Sequence, residues 1–389
     1  MVQQKLVSSE KTNEKEKICR DEPELRFKEF SDDWEVKHIN QLCQVIGGGT
    51  PSTENEEYWN GNINWYTPSE IGQTKYVSTS ERKITELGLK NSSAKLLPKD
   101  TILLSTRATI GECSITKTES STNQGFQSLI TNNKNNNEFI YYLIPQFKKE
   151  MIRKSSGSTF LEISKKEVEK IKVFVPSLNE QIKIGNFLST IDKKIELLEK
   201  KLVLYQQLEA EWRKILFKDI ELNSKFFTVD EIFKVISSKR FQIKNSEIKD
   251  KGKIPVLTQG KDKAGYFDNA AKLCNIFPII LFGDHTTHLQ YINYPFIVAG
   301  DGIKLLQSRK ENTNMKYLYY ALKNYNISPE GYKRHYSILK EVELPIPSDF
   351  NQENIVLILN SLENKINLLK DFNKEFKLLK KGLLQKMFI

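Results

Sequence analysis

The chain has no run of 18 or more apolar residues, so no segment suits a membrane-spanning helix. It opens on MVQQKLVSSEKTNEKEKICRDEPE, which is charged where a secretory leader would be apolar, so no signal peptide is expected. Its four cysteines, Cys19, Cys43, Cys113 and Cys274, include no pair at C-x-x-C spacing. Few thiols at these spacings speak against a disulfide scaffold and a cysteine-rich zinc site. The expectation is a cytoplasmic protein with reduced thiols. Nor are two prolines adjacent anywhere. What is abundant is charge: 59 Lys and Arg against 49 Asp and Glu, a net +10 in 389 residues. That balance favours a polyanionic partner, and the length allows two or three domains.

An internal repeat organises the chain. Val173-Phe174-Val175-Pro176 precedes Gln181, and Leu344-Pro345-Ile346-Pro347 precedes Gln352, 171 residues later. Each opens a stretch with apolar residues at alternating steps of four and three. The first series is Ile184, Leu188, Ile191, Ile195, Leu198, Leu202, Tyr205, Glu209, Trp212 and Leu216. The second is Ile355, Leu359, Leu362, Ile366, Leu369, Asn373, Phe376, Lys380, Leu383 and Met387. This is the pattern of a seam between two helices that wrap around each other, the alternative being two amphipathic helices on separate cores; it is interrupted only at Glu209, Asn373 and Lys380. At 1.5 Å per residue such a helix is about 50 Å long. A second echo pairs residues 39–46 with 229–236, and a third pairs Tyr141-Tyr142 with Tyr319-Tyr320.

The sequence therefore alternates module, helix, module, helix, with modules alike at their edges and unlike inside. Thr101-Ile102-Leu103-Leu104 and Ile279-Ile280-Leu281-Phe282 are expected buried strands. The asparagine-rich segment 132–137 is expected to be an exposed loop tip. Basic segments make each module a candidate nucleic-acid surface, the alternative for any single residue being an ordinary solvated face. Between Lys239 and Lys263 there are eight Lys or Arg against three acids. The candidates there are Lys239, Arg240, Gln259, Lys261 and Lys263, joined by His285 and by Lys333, Arg334 and His335. In the first module they are Lys75, Arg82 and Arg107, with a further basic run from Lys148 to Lys154. Lys and Arg neutralise phosphates, while Arg, Asn and Gln can hydrogen-bond base edges.

Motifs for catalysis are missing. Gly47-Gly48-Gly49-Thr50 lacks the lysine and spacing of a phosphate-binding loop and is expected to be flexible. His285 and His288 stand three apart beside Asp284, but the flanking glycine and threonines place them in a loop, so no metal is expected. There is no G-x-S-x-G elbow and no N-P-P-[FY] run of the kind an amino-methyltransferase uses to hold a flipped base. No catalytic, cofactor-binding or metal-binding residue is assigned.

From Pro23 onward the chain resembles the DNA-specificity subunits of type I restriction–modification systems. The first module carries Trp34-Glu35, Gly48-Gly49-Thr50-Pro51-Ser52, Ile63-Asn64-Trp65-Tyr66-Thr67, Pro98-Lys99-Asp100 and Asn123-Gln124-Gly125-Phe126. The second carries Phe282-Gly283-Asp284-His285-Thr286, Pro295-Phe296-Ile297-Val298 and residues 331–336, GYKRHY. The module exits at Pro176–Gln181 and Pro347–Gln352 complete the match. The resemblance implies a mixed α/β fold with a pseudo-two-fold repeat, in which two target-recognition domains are joined by an antiparallel coiled coil. The expected division is a mobile tail over 1–22, recognition domain 1 over 23–176, helix 1 over 177–220, recognition domain 2 over 221–347 and helix 2 over 348–389.

By the same resemblance the partners are double-stranded DNA, two methyltransferase subunits and two restriction–translocase subunits. S-adenosylmethionine, ATP and Mg would sit in those subunits and none in this chain. Each domain would read half of a bipartite, asymmetric site, with the helix pair setting the spacer. Two rivals are a coiled-coil interaction scaffold without specific DNA recognition, and an enzyme with an unrecognised site.

Overall fold

A computed structural model describes residues 22–157, 161–260, 263–310, 313–325, 327–331 and 333–389. The expected mobile tail thus lies almost wholly outside the described residues, as do Cys19 and Lys261. Four helices of ten residues or more are described: α1 (Asn137–Lys154), α2 (Leu178–Glu221), α3 (Met315–Asn324) and α4 (Asp349–Lys386). Chain contacts define two compact units. The first runs to Leu197 and takes in Lys374–Ile389; the second is Leu198–Asn373. The division therefore cuts both long helices rather than separating modules from helices.

In the first unit, β1 (Glu35–His38), β2 (Cys43–Gly47), β3 (Tyr76–Val77), β4 (Ile102–Leu104), β5 (Cys113–Thr116), β6 (Gln127–Thr131) and β7 (Lys172–Val175) frame the module. β1 and β7 pair antiparallel at its base, and the main sheet has the order β2-β6-β4-β5-β3. A three-stranded sheet (Arg82–Ile84, Trp59–Tyr66, Ser120–Thr122) lies beyond it.

The second unit repeats this plan. Its strands β8 (Lys225–Thr228), β9 (Phe233–Ile236), β10 (Ile279–Gly283), β11 (Leu289–Ile292), β12 (Ile303–Ser308) and β13 (Glu343–Ile346) form the base pair β8-β13 and the sheet β9-β12-β10-β11. Position by position, β9, β12, β10 and β11 stand where β2, β6, β4 and β5 stand in the first. The strands expected to be buried are β4 and β10, and every side chain in both is buried.

The repeat holds at single residues. Gln181 and Gln352 each donate Nε2 back to a proline carbonyl five residues earlier, at 2.9 Å and 3.0 Å. Asn136 and Asn314 cap α1 and α3 by accepting from Phe139 N and Tyr317 N, which satisfies an otherwise orphaned donor of the first turn. Residues 132–134 form an exposed turn as expected, whereas 135–137 are half-buried and lead into α1: Asn136 N donates to Gln181 Oε1 and Asn137 Nδ2 to Asp100 O. Phe139 packs on Phe388 at 5.3 Å between ring centres, and Tyr317 stacks on Phe217 at 5.7 Å.

The helices pair antiparallel. In the first unit Ile184, Leu188 and Ile191 of α2 share a core with Leu383 of α4 and with Met387 just past its end. In the second, Phe217 and Ile220 from the far end of α2 meet Ile355 and Leu359 at the start of α4. Leu198, Ile366 and Leu369 are also buried, and Ile195, Leu202, Tyr205, Leu362 and Phe376 are partly so. Trp212 is the exception at 41% exposed. Near it the inward stripe runs Glu209, Arg213, Phe217 and Ile220 instead. A straight helix turns 3.6 residues rather than 3.5, so a strict heptad drifts by about 20° each repeat. The drift carries position 212 off the seam.

Cys43, Cys113 and Cys274 are buried and unpaired with one another. Burial pushes the Cys43 and Cys113 thiols up to about 12, which leaves them protonated and inert near neutrality.

Candidate nucleic-acid interface

Each module presents two adjoining loops beside its main sheet. In the first module the β4–β5 loop carries Arg107, and Asn123–Gly125 lies directly before β6. Thr106 N donates to Gly125 O at 2.8 Å, and Gly125 N to Asn123 Oδ1 at 2.9 Å. Together Pro68, Arg107, Ala108, Asn123, Gln124 and Gly125 line an open recess of about 260 Å³.

The glycine run beside these loops is packed, contrary to the expected flexibility. A Cβ on Gly48 would lie 2.0 Å from Asn123 O and 2.3 Å from Thr122 Oγ1, and one on Gly49 would lie 2.2 Å from Ser93 Oγ. Gly49 N donates to Thr122 O, and Gly49 O accepts from Trp65 Nε1. Thr50 then reaches Gln124, donating Oγ1 to Oε1 at 2.5 Å. Gly48→Ala is expected to lower the unfolding free energy of the chain by about 1–3 kcal/mol, as overpacking does, measured by denaturant titration.

In the second module the β10–β11 loop carries His285 and His288. It is tied to Gln259, whose Oε1 accepts from His285 N at 3.0 Å and whose backbone oxygen accepts from Thr286 Oγ1 at 2.8 Å. Asp284 N donates to Gly302 O at 2.7 Å. Nearby, Lys239, Gln242, Lys244, Asn245 and Lys272 line a basic recess of about 570 Å³. Among the described residues no three His, Cys, Asp or Glu side chains converge on a possible metal position.

The remaining candidates divide. Lys239, Arg240, Lys263 and Arg334 are exposed, with Arg240 lying over Phe241 and Lys263 bonded to the Tyr266 hydroxyl. Lys333 is exposed and paired with Glu330. Arg82 is exposed and stacked on Trp59 at 3.6 Å. Of the basic run, Lys148 pairs with Glu112 and Lys154 with Glu150.

Two candidates are corrected. Lys75 has a side chain only 9% exposed, paired with Glu138 and donating to Tyr142 Oη at 2.8 Å and Ser189 Oγ at 2.6 Å. It braces α1 against α2 and offers nothing to a phosphate. His335 is fully buried. Its Nε2 accepts from Glu330 N at 2.9 Å, and its Nδ1 lies 2.9 Å from Asp284 O, an arrangement that suits a neutral ring with the proton on Nδ1. It clamps the segment carrying Lys333 and Arg334 to the β10–β11 loop.

Sequence reasoning missed the polar anchors beneath each module. In the first unit Tyr142 donates to Asp192 Oδ2 at 2.5 Å, and Lys380 pairs with Asp192 at 2.6 Å. In the second, Tyr320 donates to Glu363 Oε2 at 2.9 Å and Lys316 pairs with the same oxygen at 2.5 Å. Asp192 and Glu363 are 171 residues apart, the helix offset, so the signal lay in the repeat itself.

Comparison with known proteins gives this architecture its class. Residues 31–207 and 221–378 match the type I restriction modification DNA specificity domain. The chain belongs to that family.

It is 36% identical over 264 residues to the type I restriction enzyme MjaIX specificity subunit of Methanocaldococcus jannaschii, a match covering 64% of this chain and 59% of that protein. It is 31% identical over 202 residues to the EcoR124I/EcoR124II specificity subunit of Escherichia coli, covering 47% and 49%. The matched stretches thus span between about half and three fifths of those relatives' lengths. The fold resembles the crystal structure of a type I restriction–modification S subunit from M. genitalium, at 18% identity and a TM-score of 0.66, over 95% of this chain and 99% of that one. Among the described residues no helix is long and apolar enough to cross a membrane.

Proposed function

We propose that the chain recognises DNA for a type I restriction–modification complex, without catalysing a step itself. Each module reads one half of a bipartite site, and the α2–α4 pair sets the distance between the halves. The observation that carries this reading is a frame duplicated residue by residue that holds two unlike sets of loops. Because the loops differ, the site is asymmetric. Half-sites one DNA turn apart are about 34–36 Å centre to centre, a separation suited to helices of this length.

Methyltransferase subunits dock on the helices and supply S-adenosylmethionine chemistry. Restriction–translocase subunits bring ATP and Mg. In support, α2 and α4 carry apolar side chains turned to solvent within the second unit, among them Val203, Leu204, Ile215, Leu357 and Phe372. Exposed apolar side chains of this size are what a docking subunit would cover.

Co-expression with a methyltransferase subunit, followed by methylome sequencing, tests the proposal. One bipartite, non-palindromic methylated motif is expected. Binding of the purified complex should also fall by about a thousandfold or more between roughly 50 and 200 mM salt if six or more phosphates are neutralised. Sequence-independent binding with a flat salt response would support the scaffold reading instead.

A further inference from the structure

Where the two modules serve as scaffold, equivalent positions keep their chemistry. Tyr142 and Tyr320 both donate to a helix carboxylate, and Gln181 and Gln352 make the same bond. One equivalent position departs from this pattern. The bond from Thr106 N to Gly125 O has its counterpart in the bond from Asp284 N to Gly302 O. The next residue is Arg107 in the first module and His285 in the second, 178 positions apart, the same offset as Tyr142 and Tyr320. Both stand at the head of the loop leaving the central strand, β4 or β10.

Close after this post each module holds one residue in an uncommon form, one position after Arg107 in the first and two after His285 in the second. Ala108 has φ of 62° and Thr287 has φ of 54°. Left-handed backbone at a non-glycine residue is unfavourable, most of all for a β-branched threonine, and such strain gathers at functional sites. Local bonds impose it: Thr109 N donates to Arg107 O at 2.7 Å, and Thr287 N to Gly283 O at 2.8 Å.

We infer that this shared post is a base-reading position. Arg107, with Gln124 beside it in the same recess, reads a purine in one half-site, and His285 reads the corresponding position in the other. The inference rests on the recognition function proposed above. Its chemistry is direct: an arginine fork matches O6 and N7 of guanine, and a glutamine amide matches N6 and N7 of adenine. Gln124 is exposed. The ion pair of Arg107 with Glu162 is long at 3.9 Å between half-exposed side chains, a weak kind of pair. The difference between Arg107 and His285 makes the two halves of the target different.

The test uses the methyltransferase complex carrying Arg107→Ala, Gln124→Ala or His285→Ala. A randomised duplex library is selected for binding, and the enriched motif is read by sequencing. Arg107→Ala and Gln124→Ala should each relax one position in a single half-site, the same half for both, with discrimination there falling about 5- to 150-fold. His285→Ala should relax one position in the other half. Gln124 is exposed, so its variant reports even if Arg107→Ala unfolds. An unchanged motif in the Gln124 and His285 variants, or relaxation spread over both halves, would overturn the inference while leaving the recognition function standing. A wild-type complex that enriches no motif would overturn that function itself.

Discussion

Inserting four residues near the middle of α2 should abolish specific DNA binding or change the spacer of the recognised site. The insertion lengthens the helix by about 6 Å and advances it slightly more than one turn. Residues beyond the insertion then face a different part of α4, so the paired seam cannot keep its register on both sides. The buried contacts at stake include Ile184, Leu188 and Ile191 in one unit and Phe217 and Ile220 in the other. Motif mapping of the variant complex decides the matter. A variant that binds as tightly as the parent, with the same spacer, would show that the helix pair does not set the spacing.

Glu138→Gln should destabilise the first unit strongly for so small a change of shape. Glu138 is the counter-charge of Lys75, a lysine almost without solvent. Burial pulls the Lys75 ammonium below its ordinary value, and Glu138 restores part of that loss. For Glu138 itself burial acts to raise the carboxyl. Hydrogen bonds from Lys75, Tyr76 and Ser189 outweigh burial and hold it below its ordinary 4.5. Gln would leave the ammonium buried without its direct charge partner, with only the more remote Asp192 carboxylate beside it. We expect a cost of about 3 kcal/mol, at the low end for uncovering a buried charge. That corresponds to a fall in melting temperature of roughly 6–12 °C for a unit of this size.

The pH dependence distinguishes this cause from a packing defect. A carboxyl whose folded pKa is depressed stabilises fully above its unfolded value, and the stabilisation is lost as pH falls through the folded pKa. The gap between wild type and Glu138→Gln should therefore be full above pH 4.5 and close progressively below it. A gap independent of pH would mean that the glutamine harms packing rather than charge. The Glu363 carboxyl of the second unit is likewise held down by Lys316 and Tyr320 against the opposing effect of burial, so Glu363→Gln should behave in the same way.

Much of this was legible because duplication leaves a regular trace. The four-three spacing located the seam from Ile184 to Tyr205 and from Ile355 to Met387, and the Gln181–Gln352 echo marked where each helix begins. Trp212 misled because a strict heptad assumes a winding that the far end of α2 does not keep. Lys75 and His335 misled for another reason: composition tells charge and polarity, while burial depends on contacts far along the chain. Tyr142, Glu138 and Ser189 lie 67, 63 and 114 positions from Lys75. Glu209 was visible as a break in the apolar series, but its partner Lys323 lies 114 residues away. Strand order was out of reach, since short apolar runs bounded by glycine and proline do not name their neighbours.

The helix offset that equates Asp192 with Glu363 also equates Glu209 with Lys380. The signs at that last pair are opposite. Lys380 meets Asp192, whereas Glu209 is answered by Lys323 and Arg213. Were a severed first half to associate with a copy of itself, Glu209 would take the place of Lys380 and bring an acid against Asp192. The internal symmetry is thus broken in polarity as well as in loops, and at this position the first half is matched to the second and not to its own twin.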